Sequence, residues 1–264
     1  MDDLSLSPEP ETPAGPHCIN CDQTISAESR FCNHCGFAQP DHNAISNDEK
    51  LIAIKQIALF FLIDTVICCL ATFIDFFKTL TWSVTIDITM AVSAVTFFLY
   101  NWQSTKVLLK WPGFSVIKLI AFCAVAAVGS IIVSFLVRWL NQSLFSKEFS
   151  YYSFYARHHY GEALMIFFVA VMPALFEELG FRGFLLQKLL QVADKKQAIF
   201  ISAFMFAIMH ISFISLFWLI PFGLLLAYVR VKENTIWYGV FIHFCFNFTS
   251  CLSEIYRLHH IYHY

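Results

Sequence analysis

The stretch Pro173-Ala174-Leu175-Phe176-Glu177-Glu178-Leu179-Gly180-Phe181-Arg182-Gly183 sets two adjacent carboxylates and a guanidinium inside a long apolar run. The run continues through Phe184-Leu185-Leu186-Gln187-Lys188-Leu189-Leu190, so the charges do not simply mark a helix end at a membrane surface. Ionisable side chains at membrane depth are costly and are candidates for function by default, preferably with a partner. Glu178 and Arg182 are spaced i,i+4, share a helix face and are expected to pair. Glu177 lies about 100° round the helix and is not committed to that pair. One carboxylate is tied to structure and one is available to act.

The surroundings of this stretch fix the fold class. The chain has 264 residues, is 58% hydrophobic and 14% charged, and contains 30 Phe. Soluble domains carry about 25% charged residues, and a water-facing fold could not cover so much apolar surface. A bilayer is crossed by about 20 apolar residues. Runs of that kind are expected near Gln56–Ile74, Leu80–Tyr100, Ser115–Val137, Glu162–Leu190, Ala198–Ile211, Phe213–Tyr228 and Ile236–Leu252. The expected fold is an all-α polytopic membrane protein of about seven transmembrane helices, with a small N-terminal four-cysteine zinc-ribbon module. Trp82, Trp102, Trp111, Trp139 and Trp237 fall near span ends, as aromatic belts do. No basic stripe exists to neutralise phosphates, so nucleic acid is excluded as a partner.

Two further polar groups lie in the later spans. Phe206-Ala207-Ile208-Met209-His210 places an imidazole in the fifth span. A buried His is often a satisfied structural group. Here, however, the midpoint between Glu177 and His210 falls in the polar turn around Asp194-Lys195-Lys196, so an antiparallel helix pair brings the two to similar depth. His243-Phe244-Cys245-Phe246-Asn247 places a second imidazole and an amide on one face of the last helix by i,i+4 spacing. That face is expected to look into the bundle, away from lipid.

Glu-Glu-x3-Arg, Phe-x3-His and His-x3-Asn, in this order on successive apolar segments, resemble the motifs of the CAAX protease and bacteriocin-processing (CPBP) family of intramembrane glutamic endopeptidases. The resemblance runs from about Glu162 to Leu252 and leaves the first three spans uncovered. It implies a water molecule activated by Glu177 and His210, with His243 and Asn247 stabilising the oxyanion. Glu178 and Arg182 would support them. The substrate would be a membrane protein or peptide, lipidated in some members, and no metal would be required for catalysis. Peptide hydrolysis calls for the same groups on chemical grounds: an activated water, an oxyanion stabiliser and a proton for the leaving amine. No Gly-x-Ser-x-Gly elbow or His-Glu-x2-His motif offers another route. Two alternatives stay open: a zinc-dependent protease using Glu177, His210 and His243, and a non-catalytic membrane scaffold that binds partner proteins.

The N-terminal segment carries Cys18-x2-Cys21, ten residues, then Cys32-x2-Cys35. Two such knuckles complete a tetrahedral shell of four sulfurs that suits a structural Zn2+. The spacing resembles a short zinc ribbon, with Gly36 after the second knuckle. Disulfides would need an oxidising compartment, and a redox pair would need a surrounding βαβ pattern. A module of this size takes its fold from the metal and offers a surface for a protein partner.

The expected organisation is an acidic, Pro-rich disordered leader (1–16), the zinc ribbon (17–37), a linker (38–50), accessory transmembrane helices and loops (51–160), a CPBP-like catalytic core (161–252) and an interfacial tail with His259, His260 and His263 (253–264). With a cytoplasmic N-terminus, Lys and Arg counts favour the inside. Together with the resemblance, that predicts an integral protein of a bacterial cytoplasmic (inner) membrane. Asp64 and Asp87 also lie inside spans, where they could pair with each other, join the site or serve helix packing.

Overall fold

The computed structural model describes residues 16–18, 20–26, 29, 32, 34–35, 46–145, 151–156 and 158–262. The chain divides into two compact units, Met1–Lys50 and Leu51–Tyr264. The leader at 1–15, most of the linker, Gly36 and the side chains of His259, His260 and His263 lie outside the described residues.

The helical unit opens with α1 (Asn47–Phe73). A reciprocal capping box starts it: Ser46 Oγ accepts from the Glu49 amide at 3.2 Å, and Glu49 Oε2 accepts from the Ser46 amide at 2.9 Å. Such a box satisfies two otherwise unpaired donors of a first turn. The buried residues Ala53, Ile57, Phe60 and Asp64 form one stripe along the helix. After a turn, α2 (Leu80–Tyr100) starts at Thr79, whose side chain accepts from the Trp82 amide, and buries Ala91, Ala94 and Phe98. The helices α3 (Val116–Phe145) and α4 (Tyr151–Tyr155) follow. Then α5 (Gly161–Val192), α6 (Lys195–Ile208), α7 (Phe213–Glu233) and α8 (Trp237–Tyr262) complete the unit.

All seven expected apolar segments are helical over most of their length, and among the described residues five helices are long and apolar enough to cross a membrane: α1, α2, α3, α5 and α7. The protein is an integral membrane protein by these segments. In contrast, α6 has 14 residues, which span ~21 Å at 1.5 Å per residue and fall short of the ~30 Å hydrocarbon core. Its exposed face carries Phe200, Ile201, Phe204 and Ile208.

Two details of the backbone differ from a plain helix bundle. Within α5, Ile166–Val171 and Glu178–Leu185 are π-helical. Wide turns of this kind inside α-helices recur at functional sites. The second difference corrects the placement of His210, which was expected within a helical span. The helix α6 ends at Ile208, and His210 lies in the turn that follows. Ile211 takes φ 46°, a left-handed conformation that a β-branched residue rarely adopts. Ser212 then caps α7, accepting from the Ser215 amide. The short polar break Ser212–Ser215 supplies local hydrogen bonds that outcompete helix continuation.

Helix packing brings α5 to the centre. Where Gly180 sits, a side-chain Cβ would come within 2.9 Å of Phe60 and 3.3 Å of Ala94. The absence of that carbon lets α1 and α2 close on α5. On the opposite flank α8 lies along α3: Ser130 Oγ donates to the Phe246 carbonyl at 2.6 Å, and the Tyr238 hydroxyl accepts from the Ser115 amide at 2.9 Å. The loop before α3 is held to the start of α8, where Trp237 Nε1 donates to the Leu109 carbonyl at 2.7 Å. Trp111 stacks on Trp237 there.

Candidate active site

The second π segment of α5 carries Glu178 and Arg182, both fully buried. They form an ion pair at 3.0 Å between Oε1 and Nη1. Buried charges are tolerated when paired and when their remaining groups find partners. Arg182 gains two: its Nη2 donates to the Gly223 carbonyl at 3.4 Å, and its guanidinium lies 4.1 Å from the centre of the Phe206 ring. Cations over aromatic faces are attracted by the ring quadrupole.

The same Glu178 Oε1 also accepts a hydrogen bond from His243 Nδ1 at 3.0 Å. Because a carboxylate only accepts, this contact puts a proton on Nδ1 and turns Nε2 toward Glu177, whose Oε2 is 3.9 Å away. His243 thus stands between the two consecutive carboxylates. Sequence reasoning gave Glu178 to Arg182 alone and missed this second contact. Glu177 Oε2 is completely covered yet accepts no hydrogen bond from a protein group. Glu178 Oε2 is likewise buried without a hydrogen-bond partner, so each carboxylate of the cluster keeps one oxygen uncommitted.

His210 reaches the cluster from the turn after α6. Its Nδ1 donates to the Phe206 carbonyl at 3.0 Å, which leaves Nε2 as an acceptor. The Phe206 ring separates the two imidazoles, with ring centres 5.0 Å from His210 and 6.0 Å from His243. Among the described residues His210 makes no ion pair with Glu177. Asn247, one turn beyond His243 on α8, donates its amide to the Val169 carbonyl at 2.9 Å, in the first π segment of α5. One of its two amide hydrogens is therefore committed to backbone.

Glu177, Glu178, Arg182 and His243 form one contact cluster between α5 and α8; His210, an exposed residue, adjoins it through Phe206, and Asn247 bonds to α5 one turn along. Phe206, the first residue of the Phe-x3-His motif, has ring contacts with Arg182, His210 and His243 that the sequence reading did not assign. Its spacing of four from His210 was the available signal. Glu177, His210 and His243 do not bring three ligand atoms within 4.8 Å of one another. Among the described residues only the N-terminal cysteines form such a group.

Residues 159–249 match the Rce1-like family of type II CAAX prenyl endopeptidases. This agrees with the resemblance drawn from the three motifs, and the matched segment runs from just before α5 to Phe248 and Thr249 in α8. No curated protein and no solved structure matches the chain. The Rce1-like segment holds every one of the six polar groups, together with both π segments and Phe206. The helices α1 to α3 lie outside it.

In the N-terminal unit, Cys18, Cys21, Cys32 and Cys35 place their sulfurs within 4.8 Å of one another. The pairs Cys18–Cys35 and Cys21–Cys32 are each 3.6 Å apart, far beyond the ~2.05 Å of a disulfide. Four sulfurs at ~2.3 Å from a central zinc lie ~3.8 Å from one another in a tetrahedron, so the cluster fits a tetrahedral metal. Backbone amides support the sulfurs: Asn20 donates to Cys18 at 3.4 Å, and His34 and Cys35 donate to Cys32 at 3.3 and 3.5 Å. The first knuckle closes through the Asp22 amide on the Cys18 carbonyl at 2.9 Å, with Asp22 at φ 58°.

Proposed function

We propose that this chain is an intramembrane endopeptidase that hydrolyses a peptide bond in a membrane-embedded or lipidated protein, using water activated by Glu177. The observation that carries this reading is the placement of His243 between Glu177 and the buried Glu178–Arg182 pair. In the proposed step Glu177 takes a proton from water as the water attacks the scissile carbonyl. His210, with Nε2 as acceptor, orients that water. His243 and the uncommitted amide hydrogen of Asn247 face the developing oxyanion, and His243 donates from Nε2 when it carries both protons. The proton held by Glu177 then goes to the leaving amine. Preorganised donors in a water-poor site are worth far more than in bulk water. Glu178 acts through His243 and Arg182 and fixes their geometry.

The metal of the N-terminal unit is proposed to be Zn2+, held by the four thiolates in a structural role. Thiol ligands of this kind persist in a reducing compartment, which supports a cytoplasmic N-terminus and, with the family resemblance and the fused cysteine module, a bacterial inner-membrane location. The deciding experiment compares membrane proteomes of wild type and the Glu177→Ala and His210→Ala variants. The expected result is accumulation of the same unprocessed proteins in both variants. Identical proteomes alongside a retained cellular phenotype would favour a scaffold.

A further inference from the structure

A cavity of about 50 Å³ lies between α1, α2 and α5, and Asp64, Asp87 and Glu177 all face it. The rest of its lining includes Phe60, Met90, Phe168 and Met172, and no Lys or Arg contributes. Asp64 is 2% exposed, and the Ser93 hydroxyl donates to its Oδ1 at 2.9 Å. Asp87 has no hydrogen-bond partner among the described residues. Glu177 Oε2 is covered and unbonded. Asp87 and Glu177 Oε2, without a protein donor in an apolar wall that holds no cation, call for another source of solvation. The space accommodates a few waters, at roughly 10–15 Å³ of such volume each.

One of the three groups, Asp87, lies nearer one end of the bundle. Leu80 at the start of α2 packs in one cluster with Met165 near the start of α5, so α1 ends, and α2 and α5 begin, on the same side of the bundle. A Cβ at Gly180 would meet Phe60 and Ala94, so at 1.5 Å per residue Asp64 is about level with Glu177 and Asp87 lies ~6 Å nearer that side. The helices that supply Asp64 and Asp87 lie outside the Rce1-like segment.

We infer that Asp87 and Asp64 line a water conduit that leads from the α1–α2 end of the bundle to Glu177. Hydrolysis consumes one water per turnover, and the surrounding lipid supplies none. The two Asp residues are positioning residues: they hold the chain of waters and touch neither substrate nor the scissile bond. The purpose assigned to the conduit rests on the hydrolytic reading, but its existence does not.

The test is pulsed hydroxyl-radical labelling of the full chain in lipid nanodiscs, read by mass spectrometry. Radicals form from water, so a methionine beside held water oxidises fast. Met172 and Met90 line the cavity, whereas Met165 is fully buried elsewhere and serves as the internal reference. Wild type is expected to show oxidation of Met172 and Met90 well above Met165. Asp87→Leu, which removes no protein hydrogen bond, is expected to bring Met172 down to the Met165 level, and Asp87→Asn, which still binds water, to restore it. Met172 labelling as slow as Met165 in wild type, or unchanged by Asp87→Leu, overturns the conduit. The labelling needs no substrate, so a wild-type pattern as expected with no processing defect in Glu177→Ala would sink the hydrolytic reading and leave the conduit standing.

Discussion

Asn247 gives its amide hydrogen to the carbonyl of Val169, 2.9 Å away, at the turn of α5 where proline interrupts the ladder. In an α-helix that carbonyl accepts from the residue four positions on. Here that residue is Pro173, which has no N–H to give. Proline thus closes the α-helical register to that carbonyl, the segment is wound as a π-helix, and the bond from the last helix holds Asn247 there.

Replacing Asn247 by Ala should leave the Val169 carbonyl short of a donor, at about 1–3 kcal/mol. Pro173→Ala supplies a backbone N–H at that turn. The double variant should be more stable than the sum of the two single changes, with a coupling of about 0.5–3 kcal/mol. Thermal unfolding of the four proteins in one detergent measures this cycle, and strict additivity would show that the two positions are unrelated.

Glu177 and Glu178 should separate stability from activity. Glu178→Gln removes the counter-charge of a fully buried Arg182. Breaking one side of a buried pair costs about 3–5 kcal/mol. Glu177→Gln alters a half-buried group that holds no protein hydrogen bond at Oε2 and should leave the melting temperature near wild type. Processing of the native substrate is expected to fail in both, with a large drop in melting temperature in Glu178→Gln alone. Equal stability of the two variants would contradict the assigned roles.

Gly239 offers a geometric probe of the same pair. A Cβ there would stand 2.8 Å from Glu178 Oε2, closer than carbon and oxygen approach without a shift. Gly239→Ala should cost about 1–3 kcal/mol, as overpacking does. Gly129→Ala in α3, whose added carbon would have its nearest neighbour at 4.0 Å, should be neutral or stabilising by about 0.5–1 kcal/mol. Unfolding temperatures of the two variants side by side decide the matter.

The cysteine cluster predicts metal content. The purified, reduced chain should carry one zinc per molecule, and the Cys21→Ala/Cys32→Ala variant none. Binding should weaken as pH falls, because the ligands must shed their protons to coordinate. Elemental analysis against protein concentration gives the ratio. A zinc retained by the double variant would place the metal elsewhere.

Much of this arrangement is legible in the sequence because it obeys helical spacing. The i,i+4 interval foretells the Glu178–Arg182 contact, and the paired Cys-x2-Cys knuckles foretell a four-sulfur cluster. Apolar runs announce every long helix. What the spacing leaves unread depends on backbone that departs from 3.6 residues per turn. The π segments of α5 turn Glu178 toward both Arg182 and His243, and no local pattern announces them. The break after Ile208 moves His210 off a helix, since Ser212–Ser215 caps a new one and Ile211 takes a left-handed turn. The meeting of Asp64, Asp87 and Glu177 at one cavity is tertiary. It depends on Gly180 admitting Phe60 and Ala94, which only the assembled bundle reveals.

The shortness of α6 bears on the surrounding lipid. A 14-residue helix with Phe200 and Phe204 turned outward stands beside the 32-residue α5. The apolar girdle of the protein is therefore uneven in height, and acyl chains next to α6 must compress or tilt to meet it. Mismatch of this kind costs fractions of a kcal/mol per ångström. The thin flank leads directly to the turn that bears His210.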